Sequence, residues 1–173
     1  MALVPIIMGS KSDLKHGQEI AAELAKYGIA SEIRVASAHK VPAYVLALLA
    51  AYEADPQPKV YITVAGRSNS LSGLVDGSVL APVIACPPYS DRFGGADIFS
   101  SLRMPSGIVP AVALEPSAAA LLAAKILALA EPGLRAQVEQ AQQAMRQTIL
   151  DDDMAERGGG EGKTQRGKNR RRR

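Results

Sequence analysis

Short apolar runs rich in β-branched residues alternate along this chain with longer segments of helical spacing, and this alternation constrains the fold more than any other feature. Most of these runs carry no charged residue, which is typical of a strand covered by helices on both faces of a parallel sheet. Right-handed crossovers between such strands give a three-layer, doubly wound α/β fold. We predict strands at residues 3–8, 32–36, 60–64, 82–86 and 108–114.

Helices are predicted between these strands and after the last one, and the residues at their ends agree with that assignment. Ser10 and Ser12 can cap the first helix, Gly28 can end it, and Pro42 suits the first turn of the next. The short connections favour a flavodoxin-like strand order over an eight-unit barrel. The predicted helices span 13–26, 41–54, 71–79, 97–103, 117–130 and 134–150.

Composition limits the class of protein. The 173 residues, 47% hydrophobic and 21% charged, suit one globular domain. Aromatic residues make up only 4%, with no Trp, which argues against stacking platforms for nucleic acid. The single cysteine, Cys86, excludes an internal disulfide, and two histidines, His16 and His39, make a zinc site unexpected. The start lacks a basic leader and no run reaches about 18 apolar residues, so we expect a cytoplasmic protein without a membrane span.

The net charge of +3 combines two different segments of the chain. Residues 157–173 hold eight Lys or Arg against one acid, a net charge of +7. The other 156 residues carry twelve basic and sixteen acidic side chains, a net charge of −4. We therefore predict a catalytic domain at 1–156 and a basic, mobile tail at 157–173, which is more readily a solvated extension than a nucleic-acid-binding segment.

Polar loops follow the first four predicted strands. Ligands of open parallel sheets bind outside the carboxyl ends of the strands, so these loops should meet at one edge. The loops are 8–13, 37–40, 65–73 and 86–89.

The first two loops carry the residue types that bind a phosphorylated ligand. Residues 9–13, Gly-Ser-Lys-Ser-Asp, place hydroxyls where a helix begins, and its free N–H groups suit a phosphate while Asp13 can accept from a ribose hydroxyl. Plain helix capping explains the same residues equally well. His39, beside Ser37 and Lys40, can move a proton near neutral pH, although an isolated histidine is more often structural.

The loop after the third strand is rich in hydrogen-bond donors. Arg67, Ser68 and Asn69 follow Gly66, and glycines let backbone N–H groups approach a small anion closely. A tight turn is the alternative interpretation. Cys86 and His16 are interpreted as packing or surface residues, because no base is evident beside the thiol.

Three of these segments resemble a known family. Residues 8–13, Met-Gly-Ser-Lys-Ser-Asp, 37–40, Ser-Ala-His-Lys, and 100–107, Ser-Ser-Leu-Arg-Met-Pro-Ser-Gly, are similar to those of the 5-aminoimidazole ribonucleotide (AIR) carboxylases and N5-carboxyaminoimidazole ribonucleotide mutases of purine synthesis. The resemblance runs from about Val4 to Leu129. Residues 65–73 lack the second histidine of the mutases. Together with Lys40 and Cys86-Pro87-Pro88, they resemble the branch that uses CO2 directly.

The resemblance implies roles for particular residues. His39 would be the proton carrier, and Arg67 would either neutralise a carboxylate or brace its loop. The implied substrate-binding set is Ser10, Ser12, Asp13, Ser37 and Lys40. The implied CO2 or carboxylate set is Gly66, Arg67, Ser68 and Asn69. No cofactor or metal is implied, and the expected partners are AIR, CO2 and further copies of the chain in a homo-octamer.

The expected reaction is therefore carboxylation of carbon 4 of AIR by CO2 without ATP or biotin. The mutase reaction is the alternative on the same fold. A non-catalytic flavodoxin-like binding domain is a third interpretation, but a flavin site should offer more aromatic residues than Tyr89 and Phe93. A receiver domain should show an acidic cluster where residues 9–13 stand.

Overall fold

The computed structural model describes residues 2–165, with side chains placed for residues 2–157. Within that part of the chain, five parallel strands form one sheet in the order β2-β1-β3-β4-β5. The strands are β1 (Leu3–Met8), β2 (Ala30–Val35), β3 (Tyr61–Val64), β4 (Val83–Ala85) and β5 (Ala111–Val112). The predicted parallel, doubly wound α/β fold is confirmed.

Helices cover both faces of the sheet, which makes the three layers. They are α1 (Leu14–Ala25), α2 (Pro42–Glu53), α3 (Ser70–Asp76), α4 (Phe99–Leu102), α5 (Pro116–Leu127) and α6 (Pro132–Gln165). Helices α1 and α5 pack together on one face, whereas α2 and α3 share a core cluster on the other.

The alternation of side chains along β1 supplies both cores. Ile7 is fully buried and belongs to the cluster under α2 and α3, with Val45 and Tyr61. Ile6 faces α1, where a Cβ on Gly17 would lie 3.8 Å from the Ile6 side chain and 2.6 Å from the Met8 sulfur. The absence of a side chain at Gly17 therefore lets α1 lie close against the sheet, and each buried aliphatic side chain contributes about 1.5–3 kcal/mol.

Residues at helix ends act as the sequence indicates. The Ser10 hydroxyl accepts a hydrogen bond from the Ser12 backbone N–H at a short 3₁₀ turn, Lys11–Asp13, that leads into α1. Gly28 follows α1 with a φ of 66°, a left-handed conformation that glycine adopts without strain. Pro42 stands in the first turn of α2, where no backbone N–H is needed.

Most elements begin or end one to three residues from the predicted bounds, and three differ more clearly in length or type. Strand β5 has two residues instead of the predicted 108–114, because Gly107 turns the chain at a φ of 85° and Pro110 has no N–H to donate. The predicted helix at 97–103 begins as 3₁₀ helix, in the segment Arg92–Ile98, and continues as α4, which ends before Arg103 because that residue is extended. Helix α6 runs beyond the predicted Leu150.

The chain divides into two compact units, Met1–Arg135 and Ala136–Arg173. The first unit holds the sheet and α1 to α5, and the described part of the second is helical. Most of the predicted tail at 157–173 lies outside the residues whose side chains are described, so its mobility stays a prediction. Among the described residues, no helix combines the length and the apolar character that crossing a membrane requires.

Candidate active site

The carboxyl ends of the first four strands open onto one cleft of about 590 Å³. The loops that follow β1, β2, β3 and β4 form its walls, as the sequence predicts for a parallel sheet. Nine of the ten residues expected in the site line it: Ser10, Ser12, Asp13, Ser37, His39, Lys40, Gly66, Arg67 and Ser68. The tenth, Asn69, does not.

The loop after β1 presents two hydroxyls and a carboxylate. The Ser12 hydroxyl lies 2.9 Å from the Ser10 hydroxyl and 3.3 Å from the Asp13 carboxylate, as a donor to either. The Asp13 backbone N–H is already bonded to the Ser10 carbonyl at 3.2 Å. Capping and ligand binding are therefore compatible here, because the cap uses the Ser10 oxygen and leaves the half-buried Asp13 carboxylate facing the cleft.

A tight turn holds His39 and Lys40 at the end of β2. The Ser37 carbonyl accepts from the Lys40 N–H at 3.3 Å and from the Val41 N–H at 2.9 Å, so the side chains between them project from the sheet. The Ser70 hydroxyl lies 3.1 Å from Nε2 and 3.3 Å from Nδ1 of His39, which ties the imidazole to the start of α3. Both side chains are exposed.

The loop after β3 is clamped in an uncommon conformation. Arg67 has a φ of 56°, which costs energy in a residue other than glycine. Its backbone N–H donates to the Asp97 carboxylate at 3.2 Å, and its carbonyl accepts from the Ser100 hydroxyl at 3.0 Å. Strain that is held by two neighbouring side chains is characteristic of a ligand-binding loop, and here it leaves Gly66 and Ser68 facing the cleft.

The Asn69 side chain points into the protein, so it does not reach the position where contact with CO2 or carboxylate was expected. It is 3% exposed, and its side-chain oxygen accepts from the Ser72 N–H at 3.1 Å and the Ser72 hydroxyl at 2.8 Å. Its amide nitrogen donates to the Ser101 hydroxyl at 2.9 Å. Asn69 therefore caps α3 and joins it to α4.

The cleft also contains residues that the sequence reasoning missed. Ser90, Arg92 and Asp97 line it from the segment after β4. Arg92 joins Lys40 and Arg67 to give three cations around one cavity, which suits an anionic ligand. The feature of the sequence that could have located these residues is the Gly94-Gly95 pair, whose left-handed turn brings them over the sheet edge.

Cys86 does not line the cleft. It is fully buried at the end of β4, and burial raises the pKa of its thiol from 9.0 to about 12. The interpretation that no base lies beside it was wrong, because His16 Nε2 is 3.4 Å from the sulfur. The protonated thiol nevertheless lies outside the cleft lining, so the packing interpretation holds.

The parallel sheet and the polar cleft at its carboxyl edge define a flavodoxin-like α/β protein with a small-molecule site. Comparison with protein-family models adds the family: the model for AIR carboxylase matches residues 3–148. The chain belongs to the AIR carboxylase family.

Two of the similar proteins are phosphoribosylaminoimidazole carboxylases by name. The phosphoribosylaminoimidazole carboxylase of Treponema denticola is 54% identical over 151 residues, which cover 87% of this chain and 95% of that protein. The enzyme of the same name from Archaeoglobus fulgidus is 55% identical over 148 residues, 86% of this chain and 81% of that one. The crystal structure of Treponema denticola PurE superposes with a TM-score of 0.88 at 53% identity, covering 90% of this chain and 98% of that one.

Proposed function

We propose that this chain carboxylates carbon 4 of AIR with CO2 to give 4-carboxy-5-aminoimidazole ribonucleotide in purine biosynthesis, in the cytoplasm. The observation that carries the proposal is the single cleft that holds His39, Lys40, Asp13 and the Gly66–Ser68 loop together. Family membership and the names of its relatives support the same reaction.

The charges and donors of the cleft match the parts of AIR. Lys40 and the turn at Ser37 would hold the phosphate, and Asp13 would accept a hydrogen bond from a ribose hydroxyl. These contacts leave the aminoimidazole ring between His39 and the Gly66–Ser68 loop. The backbone N–H groups of that loop and the hydroxyl of Ser68 would stabilise the new carboxylate.

The reaction needs only one acid–base group. Carbon 4 of AIR is enamine-like, so its electrons form the new bond to the carbon of CO2 while one C=O pair moves onto oxygen. The product of this attack carries both a hydrogen and a carboxylate on carbon 4. His39 removes that proton, the C–H electrons restore the aromatic ring, and the imidazolium then releases the proton to solvent.

Two substitutions test these roles separately. His39→Asn should lower kcat by about 10²–10⁴-fold, because the amide can fill the space but cannot take a proton at neutral pH. Lys40→Ala should raise KM for AIR, since it removes a phosphate contact. Steady-state assays with AIR and bicarbonate, without ATP, measure both. Near-normal turnover in His39→Asn would assign the proton transfer to another group.

The mutase reaction is the second candidate, and the loop after β3 bears on it. Both reactions bring a carboxyl group to carbon 4, so His39 and the phosphate site serve either. The residues that differ are Arg67 and Ser68, which add bulk and donors where a carbamate substrate would need space. Parallel assays should give efficient turnover with AIR and CO2 and slow turnover of N5-carboxyaminoimidazole ribonucleotide; the reverse result would assign the mutase reaction.

A homo-octamer forms part of the proposal, and α2 and α5 motivate it. Twelve of the fourteen residues at 117–130 are apolar. Helix α2 is apolar on all sides, yet Tyr44 and Leu46 are each 46% exposed on it. A helix of this kind is normally covered on more than one side, and a second copy can supply the cover. Light scattering at micromolar concentration should give an octamer, and a monomer would contradict this.

A further inference from the structure

A second cavity of about 260 Å³ adjoins the cleft. The two share the wall formed by Gly66, Pro88, Tyr89, Ser90 and Asp97. The residues that line only this second cavity are Pro87, Gly95, Ile98, Leu114 and Glu115. We call it the side chamber. His39 and Lys40 line the cleft and not the side chamber.

The side chamber and the cleft differ in charge. The cleft is lined by the cations of Lys40, Arg67 and Arg92 and by the carboxylates of Asp13 and Asp97, so positive charge predominates there. None of the described residues that line the side chamber is a Lys, Arg or His, and its charged groups are the carboxylates of Asp97 and Glu115. Phosphate and bicarbonate would be repelled from such a space, whereas a small neutral molecule would not.

Its surface is also suited to an apolar occupant. Pro87, Pro88, Ile98 and Leu114 present hydrocarbon to the cavity. A water molecule takes about 30 Å³ in the liquid, so the chamber has room for several triatomic molecules. Water gains few hydrogen bonds from hydrocarbon walls, and an uncharged molecule without strong dipoles therefore competes well for the space.

Gly66 stands where the two cavities meet. A Cβ at this position would lie 3.7 Å from the Pro88 ring and 3.9 Å from the Asp97 carboxylate, in contact with both walls. A methyl group would fit here at ordinary contact distances, whereas a larger side chain would narrow the space between Pro88 and Asp97. Because Gly66 also begins the loop that is proposed to bind the new carboxylate, a molecule that passes it would arrive at the proposed site of carboxylation.

We propose that the side chamber holds CO2 and delivers it past Gly66 to the aminoimidazole ring, while the anionic nucleotide occupies the cleft. This inference rests on the proposed function. It explains how one site takes an anion and a neutral gas without competition, because the two molecules enter through different cavities. The carboxylates of Asp97 and Glu115 would repel bicarbonate from the side chamber, so the chamber favours CO2.

The kinetic test fills the chamber without touching the cleft. Leu114→Phe adds volume at a residue that lines only the chamber and is 56% exposed, so the fold should accept it. We expect KM for CO2 to rise about tenfold, the effect of small steric changes in an apolar pocket, with KM for AIR unchanged. Leu80→Phe is the matched control, because Leu80 is 99% exposed and lines neither cavity.

The structural test uses krypton, a probe independent of activity. Crystals pressurised with krypton should show the gas in the side chamber of the unmodified protein, and Leu114→Phe should displace it. An empty chamber, or an unchanged KM for CO2 in Leu114→Phe, would overturn the inference while leaving the carboxylase assignment intact. Failure of the unmodified protein to carboxylate AIR would instead overturn the proposed function.

Discussion

Replacing Asn69 separates a structural role from a role in binding. Asn69→Ala removes the cap of α3, a loss of about 1 kcal/mol. It also leaves the Ser101 hydroxyl, 2% exposed, without the amide that donates to it, and an unpaired buried polar group costs about 1–3 kcal/mol. The Ser72 hydroxyl still has the Thr63 hydroxyl, 2.7 Å away, as a hydrogen-bond partner, so losing Asn69 there adds little to the cost. The expected loss is about 2–4 kcal/mol, a large share of the roughly 5–15 kcal/mol that stabilises a domain.

Urea unfolding followed by far-UV circular dichroism measures this loss, because the chain has no Trp for fluorescence. The matched control is Ser68→Ala, one residue earlier in the same loop. Ser68 is exposed and lines the cleft, so its replacement should change stability by less than about 0.5 kcal/mol. All variants must be compared at one protein concentration, since an oligomer's stability depends on it.

The two variants should also differ in kinetics. Ser68→Ala should slow carboxylation without lowering the free energy of unfolding. The main effect of Asn69→Ala should be a lower free energy of unfolding. If Asn69→Ala were as stable as the control and raised KM for CO2, the hydrogen bonds that Asn69 makes with Ser72 and Ser101 would not stabilise the fold. The side chain would then be a ligand contact, as the sequence alone suggests.

Two further predictions concern pH and the tail. Burial raises the pKa of Cys86 from 9.0 to about 12, so the folded chain keeps a proton that the unfolded chain releases above pH 9. The free energy of unfolding should therefore fall as pH rises from about 9, and Cys86→Ala should flatten that dependence in urea unfolding between about pH 8 and about pH 10. Equal slopes in both proteins would contradict the buried thiol. Deleting residues 157–173, with their net charge of +7, should leave the unfolding midpoint and turnover unchanged, because the segment has no apolar face. Loss of activity beyond a few-fold would show that it reaches a site.

Strand positions were predictable where hydrophobicity alone decides them. The first run matched both bounds of β1, because it is apolar throughout and Gly9 follows its last residue. The last run failed because Pro110 limits pairing in a way that an apolar pattern does not reveal. Helix α4 was likewise shorter than predicted, because Asp97 and Ile98 belong to a 3₁₀ segment and Arg103 is extended, and single-residue backbone conformation is weakly encoded in composition.

The site was largely predictable for a topological reason. Parallel strands bring their carboxyl ends to one edge, so residues at those ends meet whatever their separation in sequence. Asn69 was misjudged because the left-handed Arg67 redirects the loop, and adjacent residues then point to the cleft and to the core. Arg92 and Asp97 were missed because their position depends on a turn, not on a strand end.

The order of the strands also affects how this protein avoids unwanted association. The edge strands of the sheet are β2 and β5, and an exposed edge is a template for pairing with another chain. Strand β5 offers only two residues, and β2 carries Glu32 and Arg34, whose side chains form an ion pair at 3.1 Å. A short edge and a charged edge both resist strand addition. Copies of this chain are therefore expected to meet through helical faces and to resist fibre-like stacking when newly made and crowded.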